Sequence, residues 1–216
     1  MGAIIRNAAL KSVSNHFGAK IKVTVEAHYP LNRENEHVSS GVMIGHSSRE
    51  NCTSVTSYSY AYKEKELGPN AEKILDDNGN TLARWLFENG KHYLPFATLS
   101  YENFKDQVAL GNDDLIGAVF CTKNYEAAGH VDKNWSEYAI GYVHEEGTVN
   151  EGHFFYSEYG IAIEMASNSI WCWKSKAVYG TARLNAELET QYTAVITLTE
   201  NTAKSIEKRL NNWYFF

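Results

Sequence analysis

Strict alternation of apolar and polar residues is the feature that most restricts this chain. In KIKVTVEAHY, residues 20–29, Ile21, Val23, Val25, Ala27 and Tyr29 fall on one side of an extended chain. Lys20, Lys22, Thr24, Glu26 and His28 fall on the other. A period of two is what a half-buried strand requires, because successive side chains point to opposite faces. QYTAVITLTE, residues 191–200, repeats the form, with Tyr192, Ala194, Ile196 and Leu198 against Thr193, Val195, Thr197 and Thr199. WSEYAIGYVH (135–144) and GIAIEM (160–165) alternate less regularly and also predict strands.

Turn chemistry separates these runs. Asn78-Gly79 inside DDNGN predicts a tight hairpin, ENGK at 88–91 a second turn, and GND at 111–113 and NEG at 150–152 two more. Short strands with turns every ten or so residues predict an all-β fold: a single antiparallel β-sandwich or barrel spanning 1–216. A short C-terminal helix is expected over 203–212, with Thr202 as its cap and Ile206 and Leu210 on one side. The N-terminal segment is expected to be a strand or an irregular arm. No proline- or serine-rich linker divides the chain.

Charge and targeting signals exclude several classes. A net charge of −6 with no basic stripe argues against nucleic acid as a partner, and Lys204 to Arg209 is interrupted by Glu207. The first residues carry Arg6 and Asn7 where a leader needs an apolar run, and no segment approaches the roughly 20 apolar residues that cross a bilayer. Cys52, Cys121 and Cys172 are odd in number and far apart, which argues against a disulfide framework. The glycosylation-type triplets at 51–53 and 134–136 have no export signal to act on. The expectation is a soluble, cytoplasmic protein, with homo-oligomerisation left open.

No catalytic signature stands out. The histidines, at 16, 28, 37, 46, 92, 130, 144 and 153, show no HxxxH or HxH spacing, and the cysteines no CxxC, so no metal site is expected. Asp76, Asn78 and Asn80 imitate a calcium loop, but its sixth and twelfth places hold Thr81 and Phe87 where Gly and Glu are required. Cys121 lies in an apolar run, and Cys172 with Lys174 nearby is the least implausible thiol nucleophile. His144, Glu145 and Glu146 alternate faces if extended and so do not converge. No catalytic residue and no cofactor is therefore predicted.

Aromatic residues carry the functional expectation. The chain has 14 tyrosines, 9 phenylalanines and 5 tryptophans, and tyrosine suits surfaces that are half dry and half wet. Tyr58, Tyr60 and Tyr62 share a face, and GHFFYSEYG at 152–160 gathers His153, Tyr156 and Tyr159 near a turn. In SNSIWCWKSK, parity sets Ile170 and Cys172 on one face and Trp171 and Trp173 on the other, but places Lys174 and Lys176 beside Cys172. A bulge or turn at 174–176 resolves that conflict, and decides whether the tryptophans are core or platform.

The leading expectation is a non-enzymatic, lectin-like or chromophore-holding protein. Its ligand would be a small molecule with a flat face, a sugar or a planar pigment, held by Trp171, Trp173, Tyr156, Tyr159 and His153. Trp135, Asn134 and Tyr58, Tyr60 and Tyr62 stand behind these. A membrane-active β-sandwich is the second reading. In outline, an N-terminal arm before a β-rich body with surface aromatics resembles actinoporin-type cytolysins and fungal sandwich lectins, although no motif matches residue by residue. The third is an enzyme whose groups converge only in three dimensions.

Overall fold

The computed structural model describes residues 2–27, 40–47, 56–58, 68–107, 118–147, 152–182 and 190–213. In chain order they form β1 (Ala3–Ile5), α1 (Lys11–Glu26), β2 (Ser40–Ser47), β3 (Thr56–Tyr58), α2 (Ala71–Tyr93) and α3 (Pro95–Gln107). The second half forms β4 (Ala118–Lys123), β5 (Ala127–His130), β6 (Tyr138–Glu146), β7 (Phe154–Tyr156), β8 (Ile161–Ile163), β9 (Ser169–Lys174), β10 (Tyr179–Thr181), β11 (Thr190–Thr197) and α4 (Glu200–Trp213). The architecture is α+β, which corrects the all-β expectation.

Two segments account for the error. The alternation at 20–26 belongs to α1, where Phe17, Ile21 and Val25 are buried four residues apart. Four is a multiple of two, so one helix face imitates a strand face over a short window; the odd residue Val23, 38% exposed, decides for the helix. The Asn-Gly pairs at 78–79 and 89–90 both lie inside α2. Asn78 is buried against α1, accepting from Lys20 Nζ at 3.0 Å and facing Thr24 Oγ1 at 3.4 Å. Gly90 lets α2 close on the sheet, since a Cβ there would stand 2.9 Å from Ile140 Cδ1. Asn78 and Gly90 thus serve helix packing rather than turns. A real break comes at Leu94, where the following proline disfavours helical geometry and α3 begins.

The strands form two antiparallel sheets, β1-β9-β6-β11-β4-β2-β3 and β5-β10-β7-β8. From β4 onward the chain alternates between them: β4, β6, β9 and β11 lie in the large sheet, β5, β7, β8 and β10 in the small one. Eight strands wound in this way are a jelly roll.

The large sheet is covered on both faces. Phe17, Ile21, Val25, Leu82 and Leu86 of the helices pack on Cys121, Ile140, Ile170, Cys172, Tyr192, Ala194 and Ile196. The opposite face sends Ala139, Val143, Trp171, Trp173 and Val195 toward the small sheet. Hence β9 and β11 are buried almost throughout, although their sequences alternate.

The C-terminal helix is present, but it starts earlier than expected. Its cap is Thr199, whose Oγ1 accepts from the Thr202 backbone N–H at 3.1 Å, rather than Thr202. The N-terminal arm is β1, paired with β9 so that Ile4 faces Trp171 across the ladder. Among the described residues, no helix is long and apolar enough to cross a membrane.

Candidate functional site

A cavity of about 340 Å³ lies between the two sheets. The parity of β9 and β11 builds one wall of it. With Ile170, Cys172, Tyr192, Ala194 and Ile196 committed to the helices, Trp171, Trp173, Gln191, Thr193, Val195 and Thr197 face inward. The two indoles are stacked, with ring centroids 5.5 Å apart at 16°. Phe154 and Tyr179 stack at 5.3 Å and continue the aromatic wall from the small sheet. Trp171 Nε1 is buried without a hydrogen-bond partner, an orphaned donor beside the cavity. Thr122 and Thr193 supply a polar stretch, their hydroxyls 2.5 Å apart, and Gln191 Nε2 donates to Glu145 Oε1 at 3.1 Å.

The chemically richest part is the end of β5. His130 and Asp132 are two residues apart, and both line the cavity. His130 Nδ1 lies 2.8 Å from the Ala128 carbonyl. A carbonyl only accepts, so Nδ1 carries the hydrogen and the neutral ring presents a lone pair at Nε2. That nitrogen is 3.8 Å from Asp132 Oδ1. The other carboxylate oxygen, Oδ2, accepts from the Tyr179 hydroxyl, with Asn134 Nδ2 at 3.5 Å. Tyr179 faces His130 across the β5–β10 ladder, their rings 4.8 Å apart. Burial, then the adjacent Asp132 charge, pushes the Tyr179 phenol far above its ordinary range, so it remains a neutral donor.

Of the residues expected to form a site, the cavity gathers Trp171, Trp173 and Asn134. The two tryptophans are each only 4% exposed, so they are core and cavity wall together, not a surface platform. The strand stops at Lys174 and turns at 175–176, which leaves both lysines exposed, near Glu137 and Glu200 respectively. Tyr156 is buried in the same inter-sheet core but does not line the cavity, and Tyr159 is exposed, touching Tyr156 edge-on at 6.2 Å. His153 lies off the cavity, its carbonyl accepting from Ala182 N at 2.9 Å. Trp135 turns the other way, packing edge-on against Phe104 of α3 at 4.8 Å. Tyr58 lies on β3 by its backbone, and Tyr60, Tyr62 and Cys52 lie outside the described residues.

Burial raises the Cys121 thiol to about 12 and that of Cys172 to about 11, the reverse of an activated nucleophile. The sequence signal that was overlooked is His130-Val131-Asp132. A search for histidine and cysteine pairs passes over a histidine and a carboxylate at i and i+2, although such residues share one face of an extended chain.

No protein-family model and no curated protein matches the chain. Solved structures do. NgTET1 in complex with 5mC DNA superposes with a TM-score of 0.63 at 11% identity, covering 94% of this chain and 73% of that one. The fold is that of the 2OG-Fe(II) oxygenases. An oxidoreductase of that family from Burkholderia pseudomallei gives a TM-score of 0.51 at 11% identity, covering 93% and 85% of the two chains. A full-length Neurospora crassa protein in complex with alpha-KG and 5-formyluracil gives 0.52 at 10%, covering 97% and 85%. The lectin-like, non-enzymatic expectation falls with this result: the aromatic residues line the inside of a jelly roll like that of these structures. The expectation of a site assembled only in three dimensions fits it better.

Such a fold raises the question of iron and of the oxoacid. Non-haem Fe(II) oxygenases use two histidines and one carboxylate with open positions. Here His130 and Asp132 are oriented as two ligands, yet among the described residues no third His, Cys, Asp or Glu joins them. A dicarboxylate needs cations, and among the described residues that line the cavity there is no arginine and the one lysine, Lys133, is exposed. The described residues do not fit the iron triad or a buried dicarboxylate.

Proposed function

We propose that the protein is an enzyme that acts by proton transfer on a small planar molecule held in the cavity. The supporting observation is the His130–Asp132 pair at the aromatic wall. The flat portion of the substrate lies along Trp171, Trp173 and Phe154, while the hydroxyls of Thr122 and Thr193 meet its polar edge. His130 Nε2, the free lone pair of the ring, takes a proton from the substrate. The imidazolium so formed faces Asp132 Oδ1, and the Tyr179 hydroxyl holds the other carboxylate oxygen in place.

A cavity of about 340 Å³ admits a single small molecule rather than a polymer segment. Two similar structures, NgTET1 and the Neurospora crassa protein, were solved with 5mC DNA and 5-formyluracil, so pyrimidines are the natural first probes. The net charge of −6 favours free bases and nucleosides over DNA. Uracil, thymine, 5-methylcytosine and 5-formyluracil should be titrated against tryptophan fluorescence and incubated in D₂O, then returned to H₂O so that only carbon-bound deuterium in the probe is read by mass spectrometry. Quenching that saturates, and uptake that His130→Ala abolishes without loss of quenching, is the expected result. Absence of both across the panel rejects the reading.

A further inference from the structure

We propose that Tyr179 occupies the place of a third metal ligand, and that the His130–Asp132 pair therefore operates without a resident metal. This inference concerns the same pair as the reading above but does not depend on which substrate the cavity takes.

The pair itself is arranged as half of a metal site. Metal-ligating histidines usually donate their second ring N–H to a carbonyl or carboxylate, and His130 does so to Ala128 at 2.8 Å. A divalent metal bonds nitrogen and oxygen at about 2.0–2.2 Å, which sets two neighbouring ligands about 2.8–3.6 Å apart, so Nε2 and Oδ1 at 3.8 Å would have to close by a few tenths of an ångström to share one ion. The next side chain to reach the pair comes from position 179. It is fixed there by the ladder, since Tyr179 is the partner of His130 across β5 and β10.

What stands at that position decides the chemistry. An imidazole would add a third lone pair. The Tyr179 phenol instead places a hydrogen on Asp132 Oδ2 and stacks its ring on Phe154. Its proton occupies a lone pair of that carboxylate, and its buried ring packs against Phe154 and Trp173. Asn134, the other polar neighbour of Asp132, also directs an N–H at that oxygen. Both donors thus hold Asp132 at Oδ2, with Oδ1 left toward His130 Nε2, and among the described residues the cavity offers no buried cation for an oxoacid carboxylate.

The test is a metal titration of the full chain without oxygen. Cobalt(II) would be followed by its visible d–d absorption and by calorimetry, with Fe(II) in a second series. The wild-type protein should show no stoichiometric uptake at micromolar metal. Tyr179→His should bind one equivalent at least about 10-fold more tightly, since a ligand contributes more than the second-shell partners whose loss costs that much. His130→Ala added to Tyr179→His should abolish the gain. Stoichiometric micromolar uptake by the wild type that His130→Ala removes overturns the proposal, and this arm needs no folded Tyr179→His protein. A Tyr179→His chain with native near-ultraviolet dichroism that binds no better than wild type also overturns it. Absence of quenching and of deuterium exchange in the wild type, with the metal behaviour as expected, would instead count against the proton-transfer reading alone.

Discussion

Gly141→Ala tests the cavity wall most directly. Gly141 lies on β6 between Trp171 of β9 and Val195 of β11, in register with both. A Cβ at this position would stand 2.5, 2.6 and 2.8 Å from Cη2, Cζ2 and Cζ3 of the Trp171 indole. Favourable carbon contacts begin at about 3.5 Å, so the six-membered ring must retreat by about 1 Å. Trp173 is stacked on it and the sheet lies beneath, which leaves the cavity as the direction of escape. Overpacking of this kind costs about 1–3 kcal/mol, while the alanine restricts the unfolded chain and returns about 0.4–1 kcal/mol. The net loss is about 0.5–2 kcal/mol, which for 216 residues lowers the melting temperature by about 1–8 °C. Near-ultraviolet dichroism should change with it, because the coupled indoles shift, and pyrimidine quenching should weaken as the cavity narrows. Trp171→Phe, which removes the clashing ring edge, should make the double variant more stable than the two single changes sum to. A Gly141→Ala protein with the wild-type dichroism and melting temperature would show that the indole does not rest on this glycine, and the wall described above would be wrong.

Three further outcomes follow from the packing. Trp171→Ala removes a side chain only 4% exposed from the inter-sheet core and should cost about 3–5 kcal/mol, measured by urea unfolding; a loss below about 1 kcal/mol contradicts its placement. Burial lowers the affinity of His144 for protons, with Glu146 opposing and Lys22 adding to it, so the folded state resists protonating this ring. Its contribution is complete above the ordinary imidazole value of 6.5 and is lost as pH falls through the depressed value, so stability should decline less between pH 7 and 5 in His144→Gln than in wild type. Cys121 and Cys172, both buried with raised thiol values, should resist a thiol reagent at pH 8 until the chain unfolds, as peptide mapping would show. Rapid native labelling of either would refute their burial.

What the sequence made legible was parity, and what it hid was partnership. The alternation of 191–199 assigned every residue of β11 to its observed side, and the opposed faces at 170–173 were likewise correct. Alternation does not say whether the second face meets water or another layer. Both faces of β9 are buried because helices cover one side and the small sheet the other, and neither cover is encoded within the ten residues around the tryptophans. The helices were misread for a related reason. Apolar residues four apart in α1 satisfy period two as well as period 3.6, and the exposure of Val23 between Ile21 and Val25 is what separates the two. Asn-Gly signals a hairpin only between extended segments; inside α2 the same pair serves as a contact with α1.

The site was hidden more deeply because its members are separated in sequence and joined by register. His130, Trp171, Tyr179 and Thr193 come from four strands, β5, β9, β10 and β11, and only the winding of the roll brings them around one cavity. Even so, one local signal exists. A histidine and an aspartate at i and i+2 near the end of a strand form a ligand-type pair in any extended chain. What distinguishes a metal site from a proton-transfer pair is then the residue opposite, and ladder register identifies that residue as Tyr179. The functional reading thus turns on a single cross-strand neighbour. A histidine there would add a third ligand-type side chain to the pair, whereas a buried phenol bonded to the carboxylate fits the proposed proton transfer.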